Sequence, residues 1–180
     1  LENGEIGVVR YVSTTFSQRP SELDIKGVYQ WRNDPEISGC GKFCEMCCHM
    51  LDLLQFYFGS IGSAIGYATN QADFYKVPDM VSGHFKFESG IHGVGTWNFS
   101  AYEDVDRTEI VGAGGKITYS TFLDAPIILE KGDVKDEFFI ETPEYIQQPL
   151  IQTIVDELLG KGNCPSTGRT AAQTNRVIDQ

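Results

Sequence analysis

The amino-acid sequence predicts an α+β fold: a large, open-faced, mostly antiparallel sheet of mixed type with helices packed on one face. Short segments rich in Val, Thr and aromatic residues recur along the middle of the chain, and the apolar period becomes helical in only a few places. Segregation of strands from helices along a chain is typical of α+β folds. With 180 residues and 41% hydrophobic content, the chain can bury one core, and we expect residues 1–180 to form a single domain.

The predicted elements begin with a strand at residues 6–16, followed by a polar connection through residue 26. Residues 41–58 have no proline and carry apolar side chains at helical spacing, so they predict a helix that ends at Gly59. The remaining elements are a hairpin (84–88 and 91–99), four strands continuing an antiparallel meander (106–112, 116–122, 126–131 and 134–141) and two helices (147–162 and 166–180).

The net charge restricts the class of partner. There are 14 Lys and Arg against 25 Asp and Glu, which gives a formal charge of −11. Nucleic acid and anionic membranes repel such a surface, so we exclude both as partners. No apolar run approaches the roughly 20 residues of a membrane-spanning helix, and the N-terminus lacks the pattern of a signal peptide. We expect a cytoplasmic protein.

Five cysteines are present, and four of them lie between Cys40 and Cys48. This spacing is too tight for a disulfide framework and indicates reduced thiols in a reducing compartment. A zinc ion or a cluster is the alternative, but three of these cysteines are predicted on one continuous helix, which cannot easily surround a metal. We therefore predict no metal site and expect Cys44 and Cys47 to be small buried residues against the sheet.

The helix at 41–58 carries a charged stripe. At 100° per residue, Glu45, His49 and Asp52 fall within an arc of about 60°. An imidazole flanked by carboxylates suits general acid or base catalysis near neutral pH. The alternative is a solvated helix surface with pairing between residues four apart.

The segment before this helix suits a ligand. The glycines at 39 and 41 allow a close backbone approach. Trp31 offers an aromatic wall and Arg32 a fork of donors for a polyhydroxylated or anionic ligand. Alternatively, Trp31 belongs to the core and Arg32 pairs with Asp34 or Glu36.

The segment 31–59, WRNDPEISGCGKFCEMCCHMLDLLQFYFG, resembles the glycine-rich segment and active-site helix of the Gfo/Idh/MocA family of NAD(P)-dependent oxidoreductases. Three later segments resemble the C-terminal domain of that family in order and spacing: GTWNFSAYEDVDRTEIVGAGGKITYSTF, QQPLIQTIVDELLGKG and CPSTGRTAAQTNRVID. The family also has a Rossmann domain with a Glu-Lys-Pro motif, which this sequence lacks, so the resemblance implies the C-terminal half of a larger enzyme. The cluster VGAGGK at 111–116 lies between two predicted strands and reads as a hairpin turn rather than a dinucleotide fingerprint.

The resemblance implies roles for individual residues. His49 would act as acid or base on the substrate hydroxyl or orient it, and Glu45, one turn earlier, would support it. Glu45 stands where the family usually has Asp, and Cys40 and Cys47 stand where small residues are common. Further substrate-binding residues are expected at Trp31, Arg32, Lys42 and Asp52.

The favoured function is transfer of a hydride between NAD or NADP and a hydroxyl of a sugar or cyclitol. The cofactor would be bound mainly outside this chain, so the isolated chain is expected to be inactive. We expect a homodimer or higher oligomer formed through the open sheet face. The alternatives are a non-catalytic module of the same fold and a metal-binding domain.

Overall fold

A computed structural model describes residues 1–28 and 30–180. The elements in chain order are β1 (Val9–Ser17), α1 (Glu22–Ile25), a 3-10 turn (Trp31–Asn33), α2 (Pro35–Ser38), α3 (Gly41–Phe58), β2 (Ile61–Thr69), β3 (Met80–Phe87), β4 (His92–Asn98), β5 (Val105–Gly112), β6 (Lys116–Tyr119), β7 (Ile127–Lys131), β8 (Val134–Phe138), α4 (Gln148–Leu158) and α5 (Gly168–Ile178).

The strands form one mixed eight-stranded sheet in the order β2-β3-β4-β1-β5-β6-β7-β8, which confirms the predicted fold class. The predicted continuous meander is wrong at one place, because β1 separates β4 from β5. β1 runs parallel to β4 and antiparallel to β5, with Val12 between Gly93 and Ile110. Its backbone thereby pairs the open edges of two antiparallel meanders, which would otherwise leave a row of unpaired amides on each side.

The core lies between one face of the sheet and α3, as predicted. Side chains alternate along β1, so that Val12, Thr14 and Phe16 are buried while their neighbours are partly exposed. From the opposite side, α3 buries Met50, and the indole Nε1 of Trp97 donates to its Sδ at 3.4 Å. α5 packs against α3 and β2 on the same face.

Two short helices occur near the predicted polar connection. α1 begins at Ser21, whose hydroxyl accepts from the amide of Asp24 while the Asp24 carboxylate accepts from the Ser21 amide. This is a capping box. α2 begins after Asp34, which caps the amide of Glu36, and has a proline at its start. Such four-residue helices have no hydrophobic period, so the sequence pattern does not reveal them.

The apolar face of α4 is exposed to solvent. The helix forms within the predicted segment, but the exposed fraction is 53% for Ile151 and 81% for Leu158. Within the described part of the chain, no helix or strand packs extensively on this face. Among the same residues, no helix is both long and apolar enough to cross a membrane.

The open face of the sheet is of mixed character rather than uniformly apolar. Tyr67 and Ile65 are prominent among its exposed apolar side chains. Elsewhere on this face Lys116 lies between Glu109 and Glu130, with 3.0 Å to each carboxylate. His84 and His92, also on this face, are diagonal neighbours, because the register pairs His84 with Val94 and His92 with Lys86.

A glycine in β4 tests the packing of this core. The ring of Phe85 lies across Gly93, so a Cβ at Gly93 would overlap it, and Phe85 is itself buried. We expect Gly93→Ala to lower the free energy of unfolding by about 1–3 kcal/mol, because an overpacked core must distort. Urea denaturation measures this loss of stability. Gly168→Ala is the control, because nothing lies within 4 Å of a Cβ at Gly168. Equal stability of both variants would contradict the packing described.

Candidate functional site

The first turn of α3 carries a disulfide between Cys40 and Cys44, whose Cα atoms are 5.5 Å apart. The prediction of reduced thiols, and of a buried unbridged Cys44, is therefore wrong for this pair. The prediction failed because the four clustered cysteines were judged too close together for a disulfide framework, whereas the non-helical N-cap residue Cys40 bridges to the first turn of the helix. Cys47 is buried as predicted, and burial raises the pKa of its thiol, so it is an unreactive core residue.

The three predicted residues of the charged stripe lie on the outward side of α3. Glu45 and His49 are exposed, and Asp52 is half-buried. Among the described residues, neither carboxylate is hydrogen-bonded to the imidazole, and each has another partner. Both Glu45 oxygens accept from Nε of Arg32, at 2.8 and 2.9 Å. Asp52 Oδ1 accepts from the hydroxyl of Thr174 at 3.1 Å.

Arg32 and Trp31 form a small exposed platform beside the stripe. The guanidinium carbon lies 4.4 Å from the centroid of the Trp31 ring, a cation–π arrangement. Trp31 is 52% exposed, which excludes the alternative that it belongs to the core. The pairing of Arg32 with Glu45 ties this platform to α3. Because both side chains of the pair are about half exposed, it contributes no more than about 1 kcal/mol to stability.

Lys42 is paired with a buried carboxylate. Its Nζ lies 2.8 Å from Oδ2 of Asp24 and 5.1 Å from the centroid of the Tyr75 ring. The Asp24 side chain is fully buried, and Asn33 also donates to it. Burial alone would raise the pKa of Asp24, but hydrogen bonds from Lys42 and Ser21 outweigh burial and lower it. The geometry therefore favours a structural role for Lys42 over the predicted contact with substrate.

His49 and Asp52 line a groove of about 670 Å³ between α3 and the C-terminal part of the chain. Its lining also includes Ser166, just before α5, and Thr170 and Gln173 within α5. Leu150 of α4 closes one side. The lining thus combines polar side chains and one imidazole with apolar side chains such as Leu53 and Phe56. Such a groove can bind a small polyhydroxylated molecule and exchange a proton with it.

The His49 ring has one aromatic neighbour. The ring of Phe122, in the loop after β6, lies 6.0 Å away at an interplanar angle of 82°. No described side chain donates to or accepts from the imidazole, so its nitrogens are free to meet a ligand. Beyond His49, the exposed side of α3 continues into a second groove of about 700 Å³ that includes Tyr57 and Tyr119.

Sequence reasoning missed the residues contributed by distant parts of the chain. Phe122, Ser166, Thr170, Gln173 and Thr174 reach the site from 73 or more positions beyond His49 in the sequence. The capping pattern of Thr167 and Thr170 marks the start of α5 and is the one local signal that could have placed part of this wall. Among the described residues, no group of three or more His, Cys, Asp and Glu side chains converges to hold a metal ion.

Comparison of the sequence with known protein families identifies the family of this chain. The family model of the GFO/IDH/MocA C-terminal domain matches residues 1–118. The chain belongs to the GFO/IDH/MocA family. Within this family, Oxidoreductase P35 of Formosa agariphila is 33% identical, over 99% of this chain and 55% of that protein. The chain thus spans about half the length of the curated relative it matches.

Solved structures show the same GFO/IDH/MocA fold. The aldose-aldose oxidoreductase of Caulobacter crescentus, complexed with glycerol, superimposes with a TM-score of 0.83 at 17% identity, over 99% of this chain and 53% of that one. A levoglucosan dehydrogenase in complex with NADH and levoglucosan superimposes with a TM-score of 0.80 at 16% identity, over 99% of this chain and 56% of that one. At such identities the similarity establishes the fold.

Proposed function

We propose that this chain is the substrate-binding and catalytic part of an NAD(P)-dependent oxidoreductase that acts on a hydroxyl of a sugar or cyclitol. The observation that carries the proposal is the groove beside His49, in a chain of this family. Its lining includes hydroxyl, amide and carboxylate side chains and the imidazole of His49, which has no hydrogen-bond partner among the described residues. The relatives complexed with glycerol and with levoglucosan support a polyhydroxylated ligand.

His49 is proposed to take the proton of the hydroxyl that is oxidised, or to return it in the reverse direction. An imidazole can do both near neutral pH. The His49 ring borders the groove, contacts the ring of Phe122 and is exposed, so a bound hydroxyl can approach a ring nitrogen.

The carboxylates are proposed to orient the ligand rather than the imidazole. Asp52 is anchored through Oδ1, and within the described residues its Oδ2 accepts no hydrogen bond, so that oxygen can accept from a sugar hydroxyl. Glu45 fixes Arg32, whose side chain and stacked Trp31 ring form the polar and aromatic surface proposed to bind another part of the substrate.

We propose that the described residues of this chain do not form a dinucleotide site. The glycine cluster at 112–115 is a turn between β5 and β6, not the strand-to-helix turn whose amides hold a pyrophosphate. We therefore propose that the rest of a longer parent protein binds NAD or NADP, which would serve as the hydride donor or acceptor. It follows from the proposal that residues 1–180 are one domain and are inactive alone.

Two further parts of the proposal concern assembly and location. The open sheet face is proposed to pair copies of the protein, and its exposed Tyr11, Ile65, Tyr67 and Val94 would be the apolar part of that interface. A cytoplasmic location is also proposed.

Comparison of the parent protein with this chain tests the function. The parent should reduce NAD or NADP with at least one member of a panel of aldoses, anhydrosugars and cyclitols. The reaction is measured by the absorbance of the reduced nicotinamide. The 180-residue chain should give no turnover under the same conditions. Activity of the chain alone would refute the assignment of the nucleotide site to the rest of the parent.

A further inference from the structure

The loop that follows β6 brings Phe122 against His49. The ring of Phe122 packs on two sides, with its centroid 6.0 Å from that of His49 and 5.4 Å from that of Phe16. Phe16 is buried and in turn contacts Phe99, so Phe122 connects the aromatic core to the exposed imidazole. The position of Phe122 therefore determines one side of the space in which the imidazole can rotate.

The loop itself is held by a buried carboxylate on β5. Asp106 Oδ2 accepts from the amide of Phe122 at 2.6 Å and from the amide of Leu123 at 3.3 Å. The backbone oxygen of Asp106 also accepts from the hydroxyl of Ser120 at 2.6 Å. One residue of the sheet thus holds three residues of the loop.

Asp106 is an unusual residue for this place. It lies opposite Phe16 in the register of the sheet and is only 8% exposed, and its Oδ1 has no hydrogen-bond partner among the described residues. A buried polar atom without a partner destabilises the fold, so the residue requires an explanation. The hydrogen bonds that the Asp106 carboxylate accepts from the loop amides provide that explanation.

We infer that Asp106 is a positioning residue for His49: by holding the backbone of 122–123, it keeps the Phe122 ring against the imidazole. The contact itself is a property of this chain, whereas its effect on catalysis rests on the proposed function. A substrate hydroxyl must meet a ring nitrogen within a few tenths of an ångström of its productive position, so a freely rotating imidazole transfers protons less well.

Nuclear magnetic resonance of the His49 ring protons in the 180-residue chain tests the inference without requiring activity. Phe122→Leu should move these signals by removing the ring current, and Asp106→Ala should move them in the same direction. Asp106→Asn keeps a carbonyl oxygen for the loop amides and should restore most of the original shift. Asp104→Ala is the matched control, because that nearby side chain is 63% exposed and should leave the signals unchanged.

In the active parent, Asp106→Ala should lower kcat roughly ten- to a hundredfold with little change in KM, since binding is preserved and only placement is lost. If Asp106→Ala does not fold, Asp106→Ser replaces it, because a serine hydroxyl is too short to reach both amides. The inference is overturned if Phe122→Leu moves the His49 signals and the folded Asp106 variants do not, or if Phe122→Leu itself has no effect. The resonance measurements on the 180-residue chain test the inference even if the parent proves inactive.

Discussion

His49→Ala should reduce kcat of the parent protein by about 10²- to 10⁴-fold, the range usual for loss of a general acid or base. KM should change much less. The groove keeps its hydroxyl, amide and carboxylate walls without the imidazole, so ground-state binding persists while proton transfer does not. Steady-state kinetics at saturating nicotinamide cofactor measure both quantities.

A second histidine provides the control for this prediction. His84 is also exposed, but it lies on the opposite face of the sheet, where it pairs in register with Val94. His84→Ala should leave kcat and KM unchanged. Equal losses in the two variants, or no loss in His49→Ala, would contradict the role assigned to His49.

Lys42→Met should lower the free energy of unfolding of the 180-residue chain by about 3–5 kcal/mol, because it leaves the Asp24 carboxylate buried without its cation. The side chain of Asp24 is fully buried and that of Lys42 is 17% exposed, so water cannot replace the ammonium easily. Urea denaturation at neutral pH measures the loss. Lys26→Met is the matched control: its exposed pair with Glu22 should contribute less than about 1 kcal/mol.

The same ion pair predicts a pH dependence. Because the folded-state pKa of Asp24 is lowered, its contribution to stability is complete above the unfolded pKa of about 3.9 and is lost as the pH falls through the folded value. The difference in stability between the wild type and Lys42→Met should therefore shrink in acid. Restoration of stability by Asp24→Asn in the Lys42→Met background would support the explanation. A difference that grows in acid would contradict it.

Local patterns predicted the three longer helices, α3, α4 and α5, but not the four-residue helices α1 and α2. α3 spans Gly41–Phe58 as expected, because an uninterrupted helical period ends at a glycine with a positive φ of 82°. α5 lies within its predicted segment for a similar reason, since Thr167 caps its first turn. These signals lie within a few residues of the element they define, so one sequence is enough to detect them.

Strand order and side-chain partners depend on distant parts of the chain. Nothing near β1 indicates that it pairs with residues 92–98 on one side and 105–112 on the other. Likewise, Arg32 meets Glu45 across 13 positions and Thr174 meets Asp52 across 122. The sequence therefore singled out Glu45, His49 and Asp52 as candidates, and their roles stay predictions, while it could not predict the partner that each carboxylate would bind.

Transfer of deuterium tests the central claim most directly. The parent protein is incubated with NAD or NADP and a sugar or cyclitol deuterated at its carbinol carbons, and the reduced cofactor is analysed by mass spectrometry. The account predicts deuterium on the reduced nicotinamide, at a rate that falls about 10²-fold or more in His49→Ala. Binding of the same sugars without any deuterium transfer would contradict it and would identify the chain as a non-catalytic module of the same fold.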